Sequence, residues 1–129
     1  MKTMKRLLII IFFALSFIST SQAQVTNNQM QILMERFCKQ CYNDCFTGRK
    51  YLEGSLVVTS VELSGTTVKV KGRHNYTGYL GKTYSDVDFK ADITYDGSDI
   101  VVIFYKWFVP AVKLIDGHWE SCEKRISIN

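Results

Sequence analysis

The chain has 129 residues, with 16 Lys and Arg against 12 Asp and Glu, a formal charge of +4 and a pI near 8.9. Lys2, Lys5 and Arg6 fall in the first 23 residues, where there is no acid, so the remainder carries 13 bases against 12 acids. That near-neutral balance argues against a chain built to bind nucleic acid or an anionic membrane surface.

The N-terminus reads as a cleavable signal peptide over residues 1–23. A basic start is followed by the apolar run Leu7 to Ile18, broken only by Ser16. Ser21 and Ala23 then stand at the two positions that a signal peptidase reads. A run of about 12 apolar residues is short of the roughly 20 needed to span a bilayer. The expectation is export to a periplasm or to the outside, with a single disulfide-bonded domain over residues 24–129 and no membrane span in the mature chain.

Gln24 to Thr47 reads as one long helix. Thr26 and Gln29 have the spacing of a capping box. Met30, Leu33, Met34, Phe37, Cys38, Cys41 and Cys45 share one helical face. Gly48 is a natural stop.

After Gly54 the period changes to two. Strands are expected at Ser55 to Leu63, Thr67 to His74, Ser85 to Tyr95, Ile100 to Val109 and Trp119 to Ile128. Their links are short and turn-like, which implies an antiparallel meander. Between the second and third strands, centring the loop Tyr76 to Lys82 pairs Arg73 with Asp86 and Lys71 with Asp88, and gathers the valines on the other face. A tight turn at Gly97-Ser98 puts Ile93 opposite Val102 and sends Ile100, Val102 and Phe104 to the core. Val101, Ile103, Tyr105 and Trp107 then form an apolar stripe on the outer face. The alternative is that segments near Pro110 fold over the stripe as core.

The expected fold class is α+β, with one N-terminal helix across an antiparallel meander of about five strands. It resembles the cystatin-like and nuclear-transport-factor-like rolls in architecture only. The Gln-x-Val-x-Gly inhibitory segment of cystatins is absent, and a shared architecture does not supply a function.

Cys38, Cys41, Cys45 and Cys122 are an even set in an exported chain and read as two disulfides. The pairing expected is Cys45–Cys122 with Cys38–Cys41, and Cys41–Cys122 is the alternative. The latter leaves Cys38 and Cys45 two turns apart, too far to bridge. A redox pair at Cys38 and Cys41 is a competing reading, although such pairs usually sit at helix N-termini. A zinc site lacks a second CxxC, and no cofactor or metal is expected. His74 and His118, the two histidines, fall in no nucleophile motif, so a non-catalytic chain is preferred to an enzyme. Asn75-Tyr76-Thr77 is a glycosylation sequon.

What remains is recognition. The candidate binding residues are Val101, Ile103, Tyr105 and Trp107 of the stripe, and Tyr76, Tyr79 and Tyr84 of the tyrosine- and glycine-containing loop. The expected function is a small exported binding module for a protein partner, as an inhibitor or immunity-type antagonist, or for a second copy of itself. The alternatives are a thiol–disulfide redox protein and a carrier with a ligand between helix and sheet, lined by Met30, Phe37, Phe89 and Phe104.

Overall fold

The structure, a computed structural model, describes residues 20–110 and 116–127, with side chains from Asn28 onward. One helix, α1 (Thr20–Asp44), packs on a curled antiparallel sheet, which makes an α+β fold. The strands are β1 (Lys50–Tyr51), β2 (Val57–Ser64), β3 (Thr67–Thr77), β4 (Thr83–Tyr95), β5 (Asp99–Phe108) and β6 (His118–Ser127). They run β3-β4-β5-β6 across the sheet, with β1 and β2 sharing the free side of β3. The expected signal peptide lies outside the described residues up to Ser19, and α1 continues across Ala23 and Gln24.

The helical spacing placed the inward face correctly from Met30 to Cys41, but Cys45 lies past the end of α1 and is exposed. Met30, Leu33, Met34, Phe37, Cys38 and Cys41 are all fully buried. They meet Val68, Val70, Phe89, Ala91, Ile93, Ile100, Val102 and Phe104 from the sheet. A fully buried side chain of this size contributes about 1.5–3 kcal/mol, so this face holds the helix in place. The capping box at Thr26 and Gln29 is not a helix start: α1 is already helical at Thr20, so the backbone N–H groups there have intrahelical acceptors. At the other end the helix stops at Asp44, three residues short of Thr47, where Cys45 N–H and Phe46 N–H both bond the Cys41 carbonyl.

Polar side chains dock the helix on the sheet edge. Gln31 Oε1 accepts from Val58 N–H at 2.7 Å, while its Nε2 donates to the Leu56 carbonyl. The amide thus stands in for a neighbouring strand. Glu35 takes the Tyr51 hydroxyl and the Gly54 N–H, and Tyr51 in turn accepts from Leu56 N–H at 3.0 Å.

The β4–β5 turn is as expected, with Ile93 opposite Val102. Asp96 Oδ1 accepts from Ser98 N–H and Asp99 N–H at 3.0 and 2.7 Å, and Gly97 takes φ 97°. The β3–β4 register differs from expectation by two residues. Arg73 faces Asp88, Lys69 faces Asp92, and Lys71 faces Lys90. One residue of the difference arises at the loop, which closes on Thr77 opposite Thr83, and the other at a bulge between His74 and Tyr76, where Asp86 sits at φ 53° and its N–H bonds Asn75 Oδ1 at 2.8 Å. A shift of two preserves the side-chain parity, so the apolar face survives although the charge pairs change.

Candidate functional site

The outer face of the sheet holds an open trough of about 870 Å³ between the β2 edge and β6. Its floor is a set of charged rows. Lys69 lies between Glu62 and Asp92, and Arg73 faces Asp88. Each of these cations has an acid directly across the ladder. The middle row differs: Lys71 faces Lys90, with Ser60 beyond Lys71 and Tyr105 beyond Lys90. Like charges directly opposite destabilise a sheet by about 0.2–1 kcal/mol. Lys90 turns away along the floor, its Nζ 5.2 Å from the Tyr105 ring centre and 4.4 Å from that of Trp119. Cation–π contact of this kind contributes about 0.5–1 kcal/mol at an exposed site.

The stripe is therefore not uniform. Val101 is only 6% exposed. Ile103 and Tyr105 are half-buried, and Tyr105 lines the trough. Trp107 packs edge-on against Trp119 at 5.2 Å and lies under Gly117, whose backbone leaves no room for a Cβ above the indole. The Asp116–His118 segment thus lies against Trp107. Trp119, which the sequence reading did not single out, takes its place at the surface.

The tyrosine loop is shorter than expected because β3 runs on to Thr77. Tyr76 is consequently in the core, not at the surface, stacked on half-buried Tyr84 at 5.2 Å. Tyr79 is the exposed one of the three. Its hydroxyl bonds the Thr47 carbonyl at 3.2 Å, and its ring fills the space that a Cβ on Gly48 would need. Beside it Leu80 stands wholly exposed at φ 67°, a left-handed conformation rare for leucine.

Cys45 and Cys122 are bonded, with Cα atoms 5.8 Å apart. The expected second bridge is absent: Cys38 and Cys41 are free and buried. Helix side chains three apart have Cβ atoms about 5–6 Å apart, against roughly 3.5–4.5 Å across a disulfide, so closing that bridge requires the helix to distort. Burial raises the Cys38 thiol well above its ordinary range and pushes Cys41 up to about 12. The thiolate is the reactive form, so this environment disfavours redox exchange. Met30, Phe37, Phe89 and Phe104 all lie in the packed core, with Phe89 stacked on Phe104 at 5.3 Å.

A buried polar cluster lies beneath the sheet. His74 Nδ1–H donates to the Val87 carbonyl at 2.9 Å, so Nε2 accepts the Tyr42 hydroxyl at 2.6 Å. Lys106, an inward-facing residue of β5, is fully buried. It is 4.5 Å from the Tyr76 ring centre and 2.8 Å from Glu120 Oε1. Arg49 Nη1 bonds the same oxygen. Burial pulls Lys106 below the usual lysine range, against the Glu120 hydrogen bond. His74 is held by Tyr42 and Val87 and His118 stacks on Phe108, and no cluster of three metal-binding side chains occurs among the described residues. Nor is any helix among them long and apolar enough to cross a membrane.

Compared with known protein families, characterised proteins and solved structures, the chain shows no match. The geometry of the trough therefore carries the functional argument.

Proposed function

We propose that this chain is a small, exported, non-catalytic binding module whose outer trough holds an acidic segment of a protein partner. The observation that carries this reading is the Lys71–Lys90 row. Every other cation on the trough floor has an acid across the ladder, whereas this pair has none and lies beside Tyr105 and Trp119. An acidic side chain seated there would relieve the like-charge contact, and the two aromatic rings would bury its apolar stem. Export is supported by the signal-like N-terminus and by the Cys45–Cys122 bond, which persists in oxidising compartments.

A labelled hexaglutamate peptide tests the reading by fluorescence anisotropy. Saturable binding is expected, weaker at physiological than at low salt. Lys71→Glu and Lys90→Glu should each weaken it by about tenfold, and Trp119→Ala by less. If both charge reversals bind the peptide as the wild type does, the trough is not the site.

A further inference from the structure

On the opposite side of the sheet, Arg49 and Lys106 share one carboxylate, and both use its Oε1. The Arg49 side chain is 8% exposed and lies between the rings of Phe46 and Tyr79, at 5.7 and 5.4 Å. Its Nε is buried and has no hydrogen-bond partner. An unsatisfied buried donor costs about 1–3 kcal/mol, more when charged.

The same Arg49 lines a cavity of about 380 Å³ between the last turns of α1 and the β1 segment. Tyr42, Tyr51 and Leu52 supply its apolar walls, and Lys39 and Lys50 stand with Arg49 as its cations. Lys39 is paired with Glu53 at 3.0 Å. Lys50 has no ion pair among the described residues. Four cations here (Arg49, Lys106, Lys39 and Lys50) meet three carboxylates, Glu120, Glu53 and Glu35, the last bonded to the Tyr51 hydroxyl. The carbonyl end of α1 adds only about half a negative charge, so an excess of positive charge remains. A volume of this size suits a small ligand, and a guanidinium fork matches a carboxylate. The walls are too apolar for a bare inorganic anion to use.

We propose that this cavity binds a small carboxylate with an apolar body. Arg49 and Lys50 hold the carboxylate, and Tyr42, Tyr51 and Leu52 take the body. The site is separate from the trough and stands or falls independently of it.

Amide NMR titration of the chain with benzoate, benzamide and inorganic phosphate tests this. Benzoate should give saturable shifts at Lys50, Tyr51 and Leu52, with benzamide and phosphate each about tenfold weaker. Lys50→Gln should weaken benzoate roughly threefold at unchanged melting temperature. Arg49→Lys keeps the charge but loses the guanidinium fork, and should weaken it about tenfold. If that variant does not fold, Lys50→Gln decides alone. Absence of saturation, shifts centred elsewhere, benzamide or phosphate binding as tightly as benzoate, or Lys50→Gln binding like the wild type would each overturn the assignment.

Discussion

The Tyr42 hydroxyl donates to His74 Nε2 across 2.6 Å of buried space, a direction of donation that requires a neutral imidazole. Burial, helped by the nearby Lys106 charge and opposed by the bond to Val87, lowers the His74 pKa from 6.5 to about 4.

The sign of the resulting pH dependence follows. Between pH 6.5 and 4 the unfolded chain binds a proton that the native state refuses. The contribution of neutral His74 is therefore complete above pH 6.5 and is lost as pH falls toward 4, on the order of 3 kcal/mol in all. Urea midpoints measured across this range should fall for the wild type. In His74→Gln the same range should show a shallower slope. Equal slopes would mean that His74 is charged in the fold.

The cysteines predict a thiol count. Denatured, unreduced protein should show two reactive thiols, Cys38 and Cys41, whereas the native protein should react slowly or not at all. Replacing Cys45 and Cys122 together by Ser releases a link spanning 77 residues, and should lower stability by about 4–5 kcal/mol in the chain-entropy model. A count of zero in the denatured protein would restore the second bridge.

Leu80 predicts the reverse of the usual outcome for a leucine. Its side chain is wholly exposed and its backbone is left-handed. Leu80→Gly removes about 1–2 kcal/mol of steric strain, partly offset by about 0.5–1 kcal/mol of added chain entropy. The urea midpoint should hold or rise slightly. A clear fall would show that Leu80 packs against something in solution.

Gly72 tests the close approach of β2 and β4. A Cβ there would lie 2.1 Å from the Val57 carbonyl oxygen and 2.5 Å from the Phe89 ring. Because backbone stands on one side and a packed ring on the other, Gly72→Ala should cost about 1–3 kcal/mol. A neutral substitution would mean that β2 moves freely at the register shift between Val58 and Ser60.

Much of the fold was legible because two periodicities are strong. The inward cysteines and methionines of α1 follow the helical repeat, and Asp96-Gly97-Ser98-Asp99 dictates its own turn through the Asp96 carboxylate. The β3–β4 register was not legible, since the bulge at Asp86 puts a non-glycine residue at positive φ and carries no turn signature. Lys106 was missed because alternation assigns it inward, where a lysine is not expected. Its burial depends on Glu120 from β6 and the Tyr76 ring from β3, which only the assembled sheet brings together. Likewise, the Lys90–Trp119 contact spans three strands, and no local pattern encodes it.

The bond between Cys45 and Cys122 encloses every strand from β1 to β5 in one covalent ring. A protease cutting the exposed Tyr79–Leu80 hairpin tip would open the ring without releasing a fragment. The nicked molecule would migrate as one piece until reduced, and its two halves would still be held at the end of α1, where Asp44 also pairs with Lys124. In an environment rich in proteases, a cut at the tip need not separate the trough on one face from the cavity on the other.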